Sequence, residues 1–220
     1  MRARYASECV LFDLDGTFAD TAPDLHFALN QLLAKHGRQP ISYQQLRPAV
    51  SHGSRAMLKV GFGIGHDDPR FSRLQKDFLD IYLKNIAVHT KPFDGMMELI
   101  ERLEQRTIHW GVVTNKPAWL TDPLMRQLGI YQRASAIVSG DTTPYAKPHP
   151  EPVRHACRLA GADPARSLYV GDAIQDIQAG RNAGAKTLVA LFGYLSDDDE
   201  PSEWEADGLI NHPLEILQWL

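Results

Sequence analysis

The sequence predicts an α/β protein, a doubly wound parallel-sheet (Rossmann-like) core with an inserted helical cap. Three observations predict it. Short apolar, β-rich runs are separated by helical patterns, residues 18–92 show helical periodicity without a convincing strand, and acidic or polar residues follow directly on the apolar runs. The first run, Cys9–Val10–Leu11–Phe12, leads into Asp13–Leu14–Asp15–Gly16–Thr17, the pattern of a buried central strand closed by a glycine-containing turn. Further runs at 108–114, 136–138, 167–170 and 187–191 alternate with helical stretches, as parallel strands joined by crossover helices do. Helical periodicity at 25–36, 43–46, 54–60 and 71–86 makes up the insert. The expected division is therefore a core of residues 1–17 and 93–220 and a cap of residues 18–92. An insert rooted straight after the first strand is placed to cover the carboxyl end of the sheet, where open α/β sheets bind ligands.

Two other stretches invite a functional reading and do not sustain one. Gly61–Phe62–Gly63–Ile64–Gly65 has the spacing of a nucleotide loop, but no strand precedes it, so it reads as a loop between cap helices. Asp197–Asp198–Asp199–Glu200 cannot converge as four neighbouring carboxylates on one ion and reads as a solvated loop. Asn211–His212–Pro213 starts a short terminal helix.

With 220 residues, 44% hydrophobic and 23% charged, the chain suits one core domain with a small insert. Its two cysteines, Cys9 in an apolar run and Cys157 in a helical pattern, are expected as buried thiols in a reducing compartment, by default the cytoplasm. Arg2, Arg4, Glu8, Asp13 and Asp15 occupy the place where a signal peptide would need apolar residues, and no run of about 18 apolar residues suggests a membrane span. A net charge of −4 without a basic stripe argues against nucleic acid and anionic lipid as partners. An anionic ligand must be held by a local site.

That site is expected at the strand ends. Asp13 and Asp15, two residues apart, point to the same side with their backbones about 6–7 Å apart, so both carboxyls can flank one reacting atom. A carboxylate attacks a phosphoryl group only when a divalent cation screens their repulsion, and a second, protonated carboxyl can serve the leaving oxygen. The same residues also suit a plain turn. Gly171–Asp172, with Asp176 four residues later, ends another apolar strand and adds carboxylates to the same edge, enough for a Mg²⁺ ion; Asp176 also fits a helix start. Thr114–Asn115 ends a third strand and Lys116–Pro117 begins the next helix, an arrangement that suits phosphate oxygens or a helix cap. Lys147, in a loop before Pro148, offsets phosphoryl charge if it converges with Asp13 and Thr114, and is otherwise a surface charge.

Taken together in this order, the four motifs resemble those of the haloacid dehalogenase-like phosphatases over nearly the whole chain. The resemblance implies that Asp13 is the nucleophile and Asp15 the general acid/base. It implies Mg²⁺ held by Asp13, the Asp15 backbone carbonyl and Asp172, with Asp176 in support. Thr114, Asn115 and Lys147 would bind the phosphoryl group, and residues 18–92 would form the helical cap. The substrate is then a small phosphorylated metabolite, and the protein a monomer or homodimer.

Within that superfamily, Thr90–Lys91–Pro92–Phe93–Asp94–Gly95 and Lys147–Pro148–His149–Pro150–Glu151–Pro152 look like the phosphoglycolate phosphatase branch. The segment Trp110–Gly111–Val112–Val113–Thr114–Asn115–Lys116–Pro117 and the tail through Asn211–His212–Pro213–Leu214–Glu215 are also similar to bacterial N-acetylmuramic acid 6-phosphate phosphatases. Phe18 stands where these families usually carry Leu, a departure expected to leave the chemistry intact and to bear on the hinge. Substrate choice is expected in the cap loop Ser51–His52–Gly53–Ser54–Arg55, with Arg55 pairing a carboxylate or facing water. The rival readings are a phosphosugar mutase, which shields its phosphoenzyme from water, and a phosphate-binding module without turnover.

Overall fold

The computed structural model describes residues 7–220; Arg2 and Arg4 lie outside the described residues. Six parallel strands form one sheet in the order β5-β4-β1-β6-β7-β8. They are β1 (Cys9–Phe12), β4 (His109–Val113), β5 (Ala136–Val138), β6 (Ser167–Gly171), β7 (Lys186–Ala190) and β8 (Gly208–Ile210). Two short strands, β2 (Ala19–Asp20) and β3 (Lys91–Pro92), pair antiparallel where the chain leaves and re-enters this core. Helices α1 (Ala22–Lys35), α2 (Tyr43–Leu46), α3 (Gly53–Phe62) and α4 (Phe71–Lys84) lie between them. Helices α5 (Met96–Gln105), α6 (Ala118–Gln127), α7 (Glu151–Ala160) and α8 (Ile174–Ala183) connect the strands of the large sheet.

Alternation along β1 decides which helices cover which face, because successive side chains of a strand point to opposite sides. Val10 and Phe12 join the core that includes α5 and α6, whereas Cys9 and Leu11 join the one built by α7 and α8. All four are fully buried, as both faces of a parallel sheet must be. Cys9 and Cys157 are free, buried thiols, and burial pushes the Cys9 thiol up.

Helices α1, α3 and α4 pack on one another, and their apolar faces (Leu25, Leu29, Leu58, Phe78) are continuous with the sheet's own core. The buried Asp24 carboxylate fastens the return of the chain, accepting hydrogen bonds from His89 N at 3.0 Å, Thr90 N at 2.8 Å and Thr90 Oγ1 at 2.7 Å. Phe18 sits just before β2, fully buried, stacked on Trp110 at 5.7 Å and edge-on to Phe12 at 5.8 Å. Its carbonyl accepts from Phe93 N at 3.1 Å, so the aromatic ring anchors the junction between the two passages of the chain.

The structure adds three strands to those expected from sequence. β2 and β3 hold only two residues each and β8 only three, with Leu209 exposed and Ile210 buried, too short for a periodic signal. β7 begins at Lys186, one residue earlier than expected. The terminal helix is a 3-10 turn over Pro213–Gln218, capped by His212 Nδ1, which accepts from Leu214 N. In the glycine-rich stretch, Gly61 belongs to α3 and packs on Leu29, while Gly63 closes that helix at a left-handed φ of 69°. Among the described residues, no helix is long and apolar enough to cross a membrane.

Candidate active site

The three central strands bring their carboxyl ends side by side, and each is followed at once by a polar residue. Asp13 N donates to Val170 O at 2.9 Å and Thr114 N to Val138 O at 2.9 Å, so the sheet ladder itself holds both residues in register. Asp172 follows β6 on the other side of β1. The turn after Asp13 needs Gly16, at φ 87°, because a Cβ there would lie 2.2 Å from Asp172 Oδ2. Gly193 lets a second loop come as close, since its Cβ would lie 2.3 Å from Asp172 Cβ.

Lys147 is the hub. Its side chain is 1% exposed, and Nζ donates to Asp13 Oδ1 at 2.7 Å, Asp176 Oδ1 at 2.7 Å and Val113 O at 3.0 Å. Burial opposes the charge on this ammonium, but Asp13 and Asp176 outweigh it and hold the lysine well above its ordinary range. Asn115 fixes the lysine's backbone from both sides, accepting from Lys147 N at 2.9 Å and donating to Lys147 O at 3.1 Å. Asp176, expected either as a helix start or as support, serves both ends. It takes Ala173 N at 3.1 Å in the first turn of α8, and its other oxygen takes Lys147 and the Tyr169 hydroxyl.

Asp13, Asp172 and Asp176 bring one carboxylate oxygen each within 4.8 Å of one another, all buried. Burial is the main influence pushing Asp13 well above the carboxylate range, and it pushes Asp172 up to about 6, with Asp176 adding repulsion. Three buried carboxyls are crowded around one ammonium, and a divalent cation with its preference for oxygen ligands fits such a cluster. Asp172 is already oriented: Oδ1 accepts from Thr17 Oγ1 at 3.0 Å, and Oδ2 accepts from Tyr194 N at 2.8 Å and Ser51 Oγ at 2.7 Å. Asp15 turns away from this cluster; its Oδ1 accepts from Lys116 Nζ and from Thr21 Oγ1, each at 2.6 Å.

A cavity of about 330 Å³ opens over these groups, floored by Asp13, Asp15, Thr114, Asn115, Lys116 and Lys147. Its roof comes from the helices between β2 and β3. Ser51, His52, Gly53 and Ser54 border it, and Ser54 Oγ accepts from Gln75 Nε2 at 2.8 Å. Of the two readings left open for Arg55, the arrangement has the side chain facing water. It is exposed and borders a separate outer hollow with Ala56 and Lys59, because Ser54 and Met57, three apart on α3, share the inward face and Arg55 lies off it. Lys116 and Tyr82 were not singled out from sequence as site residues, and both line the cavity. Lys116 follows Thr114–Asn115 directly, a signal that was available. Tyr82 is indistinguishable by pattern from the buried positions Leu74 and Phe78 of the same helix.

Fold and site together define a doubly wound parallel α/β protein whose acidic centre lies at the carboxyl edge of its sheet. The family model described as haloacid dehalogenase-like hydrolase matches residues 10–190, and the chain belongs to that family. It is 42% identical to an N-acetylmuramic acid 6-phosphate phosphatase of Pseudomonas aeruginosa over 99% of this chain and 96% of that one. It is also 42% identical to a phosphoglycolate phosphatase of Xanthomonas campestris over 95% of this chain and 94% of that one. A solved structure from Haemophilus somnus, described as a predicted phosphoglycolate phosphatase, superposes with a TM-score of 0.85 at 24% identity, covering 97% of each chain, which speaks for the shared fold.

Proposed function

We propose that this protein is a Mg²⁺-dependent phosphomonoesterase that hydrolyses a small phosphorylated metabolite by way of a phosphoryl group carried on Asp13. The observation that carries the reading is the convergence of Asp13, Asp172, Asp176 and Lys147 on one another, with Asp13 and Lys147 lining the cavity. A carboxyl oxygen of Asp13 forms the bond to phosphorus as the ester P–O bond breaks, and the leaving oxygen takes a proton from Asp15. Water then attacks phosphorus, returns a proton to Asp15 and frees phosphate from Asp13. Mg²⁺, held by Asp13, Asp172 and the Asp15 backbone carbonyl, would screen the repulsion between carboxylate and phosphoryl oxygens. Thr114 and Lys147 border the phosphoryl position, and Asn115 contributes by holding the lysine. Residues 18–92 act as the cap over a core of residues 1–17 and 93–220. The buried thiols agree with a cytoplasmic setting.

The core recognises the phosphoryl group alone, so the organic part is selected by the roof. The named relatives supply two candidates, 2-phosphoglycolate and N-acetylmuramic acid 6-phosphate. The first follows the sequence resemblance most directly. The second is favoured by the roof's extent, since a cavity of about 330 Å³ is within the range of roughly 300–1,000 Å³ that holds molecules larger than a two-carbon acid. Parallel kinetics on both, with common sugar phosphates, decide between them; a tenfold ratio of kcat/KM corresponds to about 1.4 kcal/mol in transition-state binding. Asp13→Asn is expected to abolish phosphate release with the circular dichroism spectrum unchanged, and wild-type turnover in that variant would remove Asp13 as nucleophile.

A further inference from the structure

The residue that holds Asp15 is Lys116, and nothing in the proposed hydrolysis above uses it. Its ammonium is almost enclosed, with the side chain 7% exposed against 15% for Asp15. Nζ donates to Asp15 Oδ1 at 2.6 Å and to the Tyr82 hydroxyl at 3.1 Å, and lies 4.7 Å from the centre of the Tyr82 ring. Thr21 Oγ1 donates to the same Asp15 oxygen at 2.6 Å. Oδ1 therefore accepts two short hydrogen bonds, while Oδ2 receives none from the described residues.

We propose that Lys116 is a positioning residue that, seated on Tyr82, clamps the Asp15 carboxyl by Oδ1 so that Oδ2 alone serves the reacting oxygen. This rests on the proposed role of Asp15 and deepens it. A proton on Oδ1 would confront the N–H of Lys116, donor against donor, so the transferable proton resides on Oδ2. From there it passes to the ester oxygen as the P–O bond breaks, and Oδ2 takes a proton back from the water that attacks phosphorus. Asp15 stands on a turn with two free side-chain torsions, and a misplacement of about 1 Å in a reacting group can cost about 100-fold in rate. Tyr82 belongs to α4, on the far side of the β2–β3 junction from Asp15 and Lys116. The clamp is thus assembled from both parts of the molecule, and the acid is aimed only when α4 is seated on the core.

The test uses two kinds of ester, because an alkyl leaving oxygen needs a proton and the para-nitrophenyl oxygen does not. Lys116→Met, Lys116→Arg and Tyr82→Phe are compared with wild type on para-nitrophenyl phosphate and on whichever alkyl phosphate the enzyme turns over fastest. For Lys116→Met, kcat on the alkyl ester is expected to fall by about 100-fold with KM within about threefold. On the aryl ester, roughly one equivalent of nitrophenol is expected in a rapid burst before slow turnover, since capture of phosphorus needs no acid but water attack needs the base. Lys116→Arg restores much of the loss, and Tyr82→Phe gives the same pattern more weakly. An unchanged kcat on the alkyl ester, or equal losses on both esters without a burst, overturns the proposal. Should Lys116→Met fail to fold, Tyr82→Phe is judged by the same leaving-group criterion. A dead Asp13→Asn with leaving-group-neutral Lys116 and Tyr82 variants sinks this inference alone, whereas an active Asp13→Asn sinks the hydrolytic reading itself.

Discussion

Replacing Lys147 by Met leaves Asp13, Asp172 and Asp176 buried together with no internal cation, and the size of the effect follows from their surroundings. Breaking a buried ion pair by removing one partner costs about 3–5 kcal/mol. The carboxyls can escape by taking up a proton, but from an ordinary value of 3.8 each such proton costs about 4 kcal/mol at pH 7, so the two routes agree. For a chain of this length, 1 kcal/mol moves Tm by about 2–4 °C, which places the expected drop at roughly 6–20 °C in the presence of chelator. The pH dependence has a definite sign. The Lys147 pKa is raised in the folded protein above 10.5, so its own stabilising contribution is fully present from pH 5 to 7 and supplies no slope there. The burial-raised carboxyls, by contrast, take up protons on acidification, and at pH 5 neutralising one costs only about 2 kcal/mol. The gap between variant and wild type should therefore narrow from pH 7 to pH 5, read by calorimetry or far-ultraviolet circular dichroism. A drop below about 2 °C at pH 7, or a gap that widens on acidification, would refute the reasoning.

Other outcomes follow from the same site. Chelator is expected to abolish phosphatase activity and Mg²⁺ to restore it; at 100 times its Kd the ion adds about 2.7 kcal/mol of stability, measured as a rise in Tm. That rise should be larger at pH 8 than at pH 5, because Asp172, pushed up to about 6 from 3.8, favours the metal-free fold below pH 6 and weakens it as pH rises through 6. Gly193→Ala brings a Cβ to 2.3 Å from Asp172 Cβ and 2.6 Å from Gly16 O, neither of them a flexible tip, so a loss of about 1–3 kcal/mol together with loss of turnover is expected by denaturant titration and assay. Arg55→Ala should leave kcat/KM within about twofold, since the side chain lies outside the cavity; a tenfold loss would put Arg55 in the substrate's path.

What the sequence made legible was whatever the alternation of short apolar runs and helical stretches controls. Each run near 9–12, 109–113, 136–138, 167–171 and 186–190 became a parallel strand, and Asp13, Thr114 and Asp172 meet because their strands are neighbours. The convergence of Lys147 on Asp13, across 134 positions, was legible only through family resemblance, since no local pattern distinguishes a buried loop lysine from a surface one. Arg55 marks a different limit, because sequence left it either pairing a carboxylate or facing water. The loop around it does border the cavity, but the rotation of α3 about its axis is set by packing, and one position of difference turns a side chain outward. The engagement of Asn115 with the Lys147 backbone and of Ser51 with Asp172 depends on side-chain contacts between distant segments, which periodicity does not encode.

The three N–H groups of Lys147 all have acceptors already: two carboxylates and the Val113 carbonyl. A substrate oxygen can gain a hydrogen bond from this ammonium only by evicting a present occupant. Val113 is fixed by the sheet and Asp176 by the first turn of α8, which leaves Asp13 as the partner most easily exchanged. If the proposed hydrolysis holds, arrival of the anion would then free the Asp13 carboxylate in the same motion.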